Sequence, residues 1–175
     1  MAGSSGTGAM AMDAERIEAA PIVTSVQTVQ PDWIDYNGHM NVAYYTLAFD
    51  RALDEVYDIW GVGPALIPTH NMGPMALQTQ IHYLAELLEG DAFHAECILL
   101  DCDHKRVHVV MTMIAETTGA PAAIYETLST NVDLGQRRSA HYPPEIAARL
   151  AAWQRAQADL PRPAQVGKSI AIRRR

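Results

Sequence analysis

One stretch limits the possible folds more than any other. Between Val42 and Trp60 the apolar residues Val42, Tyr45, Phe49, Leu53, Val56 and Trp60 recur at helical spacing, and Asp50, Asp54, Glu55 and Asp58 fill much of the other side. Asn41 is placed to cap its start, and Gly61 and Gly63, with Pro64 behind them, to stop it. Four strand-like stretches then follow without another long helix between them. Met75 to Tyr83 sets Met75, Leu77, Thr79, Ile81 and Tyr83 against Gln78, Gln80 and His82. After the Gly90-Asp91 turn signal come Ala92 to Leu100, Arg106 to Glu116 and Ala122 to Leu134, separated by the polar turns 101–105 and 117–121. Ile22 to Val29 alternates with one slip and supplies a strand before the helix, while Pro31 to Gly38 and Gly61 to Gly73 read as loops.

Strands that follow one another in this way do not build a doubly wound parallel sheet. The economical solution is an α+β fold, a curved antiparallel sheet of five or so strands wrapped around one long central helix. Pro143-Pro144 opens a further C-terminal helix with Ile146, Leu150 and Trp153 on one side, and a loose tail is expected after Pro161 and Pro163. The expected division is a disordered N-terminal segment 1–20, native or left by cloning, a folded domain 21–142, and a C-terminal helix and tail 143–175.

Charge removes some functions. A formal net charge of −7 argues against nucleic-acid binding, which rests on clustered Lys and Arg, and the run Arg173-Arg174-Arg175 is expected to be a solvated tail. No run of 18 apolar residues suggests a membrane span, and no signal peptide is visible. Cys97, read as core, and Cys102, read as a turn residue, form neither a disulfide framework nor a zinc spacing, which fits a reducing cytoplasm. His104 and His108 share no evident third ligand, so no metal is expected. His82 and Glu86 read as strand-surface residues.

The chemistry is concentrated in Asp35-Tyr36-Asn37-Gly38-His39-Met40-Asn41, which runs straight into the helix. Unpaired backbone N–H groups at a helix N-terminus, aided by the helix dipole, suit a carbonyl oxygen that becomes an oxyanion. Gly38 allows close approach of the backbone, and Asp35 is a candidate general base or nucleophile. The bland alternative makes Asp35 an Asx-turn residue, Asn41 a cap only and His39 a packed ring.

This pattern resembles the hotdog thioesterases of the 4-hydroxybenzoyl-CoA thioesterase type: an Asp, two residues, Gly-His, one residue, Asn, then a Tyr on the opening helix. Asp35, Gly38, His39, Asn41 and Tyr45 match, and Val42 stands where many relatives carry a second Asn. The resemblance implies a hotdog fold and hydrolysis of a small acyl-CoA thioester, with Asp35, Gly38, His39, Met40 and Asn41 as catalytic residues. It implies no cofactor, since coenzyme A is part of the substrate. It also implies a homodimer or dimer of dimers, with Ala92 to Leu100 or its neighbour as the apolar edge to be covered.

Three stretches, Gly38 to Asn41 with the helix after it, Leu100 to Arg106, and Val132 to Ser139, resemble more narrowly the thioesterases of bacterial carnitine breakdown that act on betainyl-CoA. Their trimethylammonium acyl group implies aromatic contacts, for which Trp33, Tyr36, Tyr44, Tyr45 and Trp60 are candidates, although packing against the helix would also explain each of them. Arg137 and Arg138 are candidates for the coenzyme phosphates. The rival expectations are a hotdog hydratase or dehydratase and a non-catalytic acyl-CoA-binding module.

Overall fold

A computed structural model describes residues 17–172. Residues 1–16 of the expected N-terminal segment, and the Arg173-Arg174-Arg175 run, lie outside the described residues. The long helix α1 spans Val42–Trp60, as its periodicity demands. Asn41 Oδ1 accepts the Ala43 N–H at 2.9 Å, which satisfies one of the donors a helix start leaves orphaned. Gly61 closes the helix in the left-handed conformation, φ 74°, where a side chain would be strained. Tyr45, Phe49, Leu53, Val56 and Trp60 are buried, but Val42 at the helix mouth is 58% exposed.

The sheet contains β1 (Ile22–Val23), β2 (Gln27–Thr28), β3 (Met72–Tyr83), β4 (Ala92–Cys102), β5 (Arg106–Ala115), β6 (Pro121–Asp133) and β7 (Arg138–Ser139). Its main path runs β1-β4-β5-β6-β3, with β2 also on β4 and β7 on β6, and every pairing is antiparallel. One face wraps α1, with Phe49 stacked on Tyr125 of β6 at a centroid distance of 4.9 Å. This is the expected hotdog arrangement, with the sheet left open. Among the described residues no helix is long and apolar enough to cross a membrane.

The structure corrects several expectations. The first strand is broken rather than continuous, because at Ser25, between its halves, the backbone N–H turns to the helix and donates to Glu55 Oε2 at 2.8 Å. The Gln27 side chain of β2 also reaches the helix, its Nε2 donating to the Ala48 carbonyl at 3.0 Å. The loop expected over 61–73 contains a short helix, α2 (Leu66–His70), and β3 already begins at Met72. The single apolar face expected for β3 does not exist, since a bulge between Ala76 and Gln78 shifts the register. Met75 pairs with Thr130 before it and Ile81 with Tyr125 after it, so the two lie on opposite faces.

Ala92 to Leu100 is not an edge either: it lies between β1/β2 and β5, and the long open edge is β3. Nor is the C-terminal tail loose up to Gly167. After α3 (Pro144–Gln157), Leu160 and Val166 pack on Ile98, Leu100, Val110 and Ile124 of the outer face, and the Gly167 N–H donates to Glu126 at 2.8 Å. Ile146, Leu150 and Trp153 of α3 are buried as expected. The buried Gln157 accepts the Leu99 N–H at 2.8 Å and donates to the Ala20 carbonyl at 2.8 Å, so this interior amide is satisfied at both ends.

Candidate active site

The loop between the first strand and α1 is held from several sides. Ile34 and Met40 form an isolated antiparallel bridge across its neck. The Asp35 N–H donates to the His39 carbonyl at 3.1 Å, and the Gly38 N–H to the Asp35 carbonyl at 3.0 Å. Gly38 has φ 84°, and nothing lies within 4 Å of where its Cβ would be, so the backbone conformation and not crowding favours glycine. Met40 is anchored to the segment after β3 by its N–H bond to the Leu87 carbonyl, 2.8 Å.

Asp35 is half-buried. Its Oδ1 accepts the Asn37 N–H at 2.8 Å, and its Oδ2 lies 3.5 Å from the donating Nδ2 of Asn41. Asn41 therefore joins the carboxylate to the helix start, with one amide atom on each. At that start the N–H groups of Gly38, Met40 and Asn41 are committed to the carbonyls of Asp35, Leu87 and Trp33. The N–H groups of His39 and Val42 have no acceptor among the described residues. Val42 is the first residue of α1, where the dipole and the orphaned donors concentrate partial positive charge. The sequence points to the backbone N–H groups at this helix start without singling out Val42, and Asn41 as cap leaves the next N–H unsatisfied.

A cleft of about 290 Å³ opens here. His39, Val42 and Tyr45 line one side, and Tyr83, Leu84 and Glu86 the other. Tyr45 is buried, its hydroxyl donates to the Ala85 carbonyl at 3.4 Å, and burial above all raises its pKa. Tyr83 and Glu86 carry no motif in the sequence. The pairing of β3 with β6, which fixes where that strand ends, and the bonds of Met40 to Leu87 and Tyr45 to Ala85 bring them to the helix mouth.

The other expected site residues are dispersed. Trp33 stacks on Tyr44 at 5.3 Å and 10°, with the Arg51 guanidinium 5.7 Å from the Trp33 ring, so that pair is already occupied. Tyr36 is 95% exposed. Trp60 is buried at the opposite end of the 19-residue helix, on the order of 27 Å from Val42. Arg137 and Arg138 are exposed beside Asp133, which pairs with Met72, at the end of β3 away from Tyr83. Within one chain they are separated from the cleft by nearly the whole length of a 12-residue strand, on the order of 35 Å if straight. His104 packs on His141 at a centroid distance of 4.3 Å, whereas His108 faces Glu126, so the two do not converge. No group of three or more His, Cys, Asp or Glu residues among the described residues could hold a metal.

The Thioesterase-like superfamily matches the chain over residues 29–150. A betainyl-CoA thioesterase from Pseudomonas aeruginosa is 31% identical over 152 residues, covering 86% of this chain and 96% of the relative. A Staphylococcus aureus protein solved in complex with CoA superposes with a TM-score of 0.78 at 28% identity, over 88% of this chain and 98% of that one. A DHNA-CoA thioesterase, also from Staphylococcus aureus, shares the fold with a TM-score of 0.69 at 12% identity, over 76% of this chain and 91% of that one.

Proposed function

Because the chain belongs to the Thioesterase-like superfamily, we propose that it hydrolyses a small acyl-CoA thioester at the mouth of α1, with betainyl-CoA as its substrate. The observation that carries this reading is a loosely held carboxylate, Asp35, linked through the Asn41 side chain to the start of a long helix whose first N–H, that of Val42, is unpaired among the described residues. The Val42 N–H accepts the developing oxyanion, with the His39 N–H as a second candidate donor. Asp35 then acts in one of two ways. As general base it takes a proton from water while the hydroxide attacks the carbonyl carbon, and collapse of the tetrahedral intermediate expels the CoA thiolate. As nucleophile its carboxylate oxygen attacks, the thiolate leaves, and water hydrolyses the resulting anhydride. Gly38 and Asn41 hold the carboxylate and the helix start in register. No metal or redox cofactor enters either route.

The open β3 edge supports a homodimer. Two such edges paired antiparallel place the Met72 end of one strand against the Tyr83 end of the other. That pairing carries the partner subunit's Arg137 and Arg138 toward the cleft, where the coenzyme phosphates would meet them. An active monomer by light scattering would remove this arrangement. Cys97 and Cys102 are free thiols, which supports a cytoplasmic setting.

The test is a panel of acyl-CoA thioesters assayed for free thiol. Thiol release with formation of the acid supports the proposal. Binding without turnover would make the chain an acyl-CoA-binding module, and hydration of enoyl-CoA would make it a hydratase.

A further inference from the structure

The cleft at the helix mouth has walls that the hydrolytic steps do not use. The rings of Tyr45 and Tyr83 meet edge to face, with centroids 5.1 Å apart and planes at 80°, so they form a corner. The two sides of the corner differ in firmness. Tyr45 is 3% exposed and fixed in α1, while Tyr83 ends an edge strand and is 49% exposed. Glu86, three residues past Tyr83, lines the same cleft and is exposed. No Lys or Arg lines it among the described residues.

Two aromatic rings at right angles, one carboxylate and no Lys or Arg make a composition with a definite preference. A neutral acyl group gains nothing from Glu86, and an anionic one is repelled by it. A compact cation that cannot donate hydrogen bonds gains from the ring faces, through their quadrupoles, and from the carboxylate, through Coulomb attraction.

We infer that Tyr45, Tyr83 and Glu86 form the acyl-end pocket of the cleft and that Tyr83 and Glu86 are specificity-determining residues selecting a quaternary ammonium acyl group. The inference rests on the cleft being the thioester site. Of the aromatic candidates legible in the sequence it keeps Tyr45 and sets aside Trp33 and Tyr44, which are stacked on each other with the Arg51 guanidinium over the Trp33 ring.

Betainyl-CoA and 3,3-dimethylbutanoyl-CoA, a neutral isostere in which carbon replaces the quaternary nitrogen, provide the test. The measurement is the ratio of their kcat/KM values in the wild type, Glu86→Gln, Tyr83→Leu and Tyr83→Phe. The wild type should prefer the charged substrate. Glu86→Gln and Tyr83→Leu should each narrow that ratio by roughly three- to tenfold, while Tyr83→Phe, which keeps the ring, should preserve it. Glu86 is exposed, so its amide variant is not expected to disturb folding.

An unchanged ratio in both Glu86→Gln and Tyr83→Leu overturns the inference. So does a wild type that treats the two substrates alike, or that hydrolyses only other acyl-CoAs, and in both cases thioester hydrolysis itself stands. If no acyl-CoA is hydrolysed, the reading of the cleft and this inference fall together.

Discussion

Two carboxylates in this molecule are held in opposite ways. Glu126, on the outer face of the sheet, is saturated: Gln80 Nε2 and the Gly167 N–H donate to its Oε2 at 2.6 and 2.8 Å, and His108 Nε2 lies 2.8 Å from its Oε1. Asp35, at the helix mouth, has a single short contact, from the Asn37 N–H, and a distant one from Asn41. A carboxylate offers about four acceptor positions, so Glu126 has little left for a ligand, whereas Asp35 retains a face for water or an acyl carbon. Burial alone would raise the Glu126 pKa. The Gly167 N–H, the Gln80 amide and His108 outweigh it and hold the group below its ordinary range. The difference teaches that a carboxylate ringed by donors pins structure together, here the C-terminal tail to the sheet. One left under-satisfied near a helix start keeps acceptor positions free for a ligand, which is the role proposed for Asp35.

The largest expected effect falls on the loosely held member. Asp35→Asn keeps the shape and removes the base or nucleophile, so kcat on the best acyl-CoA should fall by roughly a hundredfold or more with little change in melting temperature. Near-normal turnover would break the comparison, since Asp35 would then be only an Asx-turn residue.

The saturated member should show the reverse. Glu126→Gln leaves donors facing an amide and should cost about 1–3 kcal/mol of stability, read by urea unfolding, with kcat nearly unchanged. A Glu126→Gln variant that is fully stable but inactive would exchange the roles assigned to the two groups.

These roles were unequally legible in the sequence. The helix periodicity, the Asn41 cap and the Gly61 stop depend on residues within a few positions of one another, and the structure keeps all three. The Asp35 loop is local too. The break at Ser25, the bulge at Leu77 and the Glu126 cluster all arise from partners far along the chain: Glu55, the β6 register and Gly167. No window of sequence contains both sides of those contacts. For the same reason Tyr83 and Glu86 carried no signal, since the sheet pairing and the long-range bonds of Met40 and Tyr45 set where the end of β3 lies relative to α1.

A smaller effect extends the comparison to Arg137 and Arg138, proposed to serve the ligand without touching the reacting atoms. Arg137→Ala/Arg138→Ala should raise KM for the thioester by several-fold to about tenfold, with a lesser effect on kcat, because a phosphate contact is mostly uniform binding. Added salt should weaken the wild type more than the variant. An unchanged KM with unchanged salt dependence would place the phosphates elsewhere.

The smallest expected effect is in acid. Because the folded pKa of Glu126 is depressed, its contribution to stability is fully present above the ordinary carboxylate range and is lost as pH falls through the folded value. The stability gap between wild type and Glu126→Gln should therefore be widest near neutrality and close as the pH drops. A gap that widens toward acid pH would show that the clamp does not depend on the ionised carboxylate.

The central claim is that the thioester carbonyl sits at the mouth of α1, between Asp35 and the Val42 N–H. The most direct measurement is a crystal structure with an acyl-CoA analogue whose thioester sulfur is replaced by methylene, giving a ketone that cannot be hydrolysed. The account predicts the keto oxygen within hydrogen-bond distance of the Val42 N–H, about 3 Å, with the Asp35 carboxylate facing the carbonyl carbon. An analogue bound on the outer face beside Glu126, or a keto oxygen at the helix mouth with no backbone N–H donor, would contradict it.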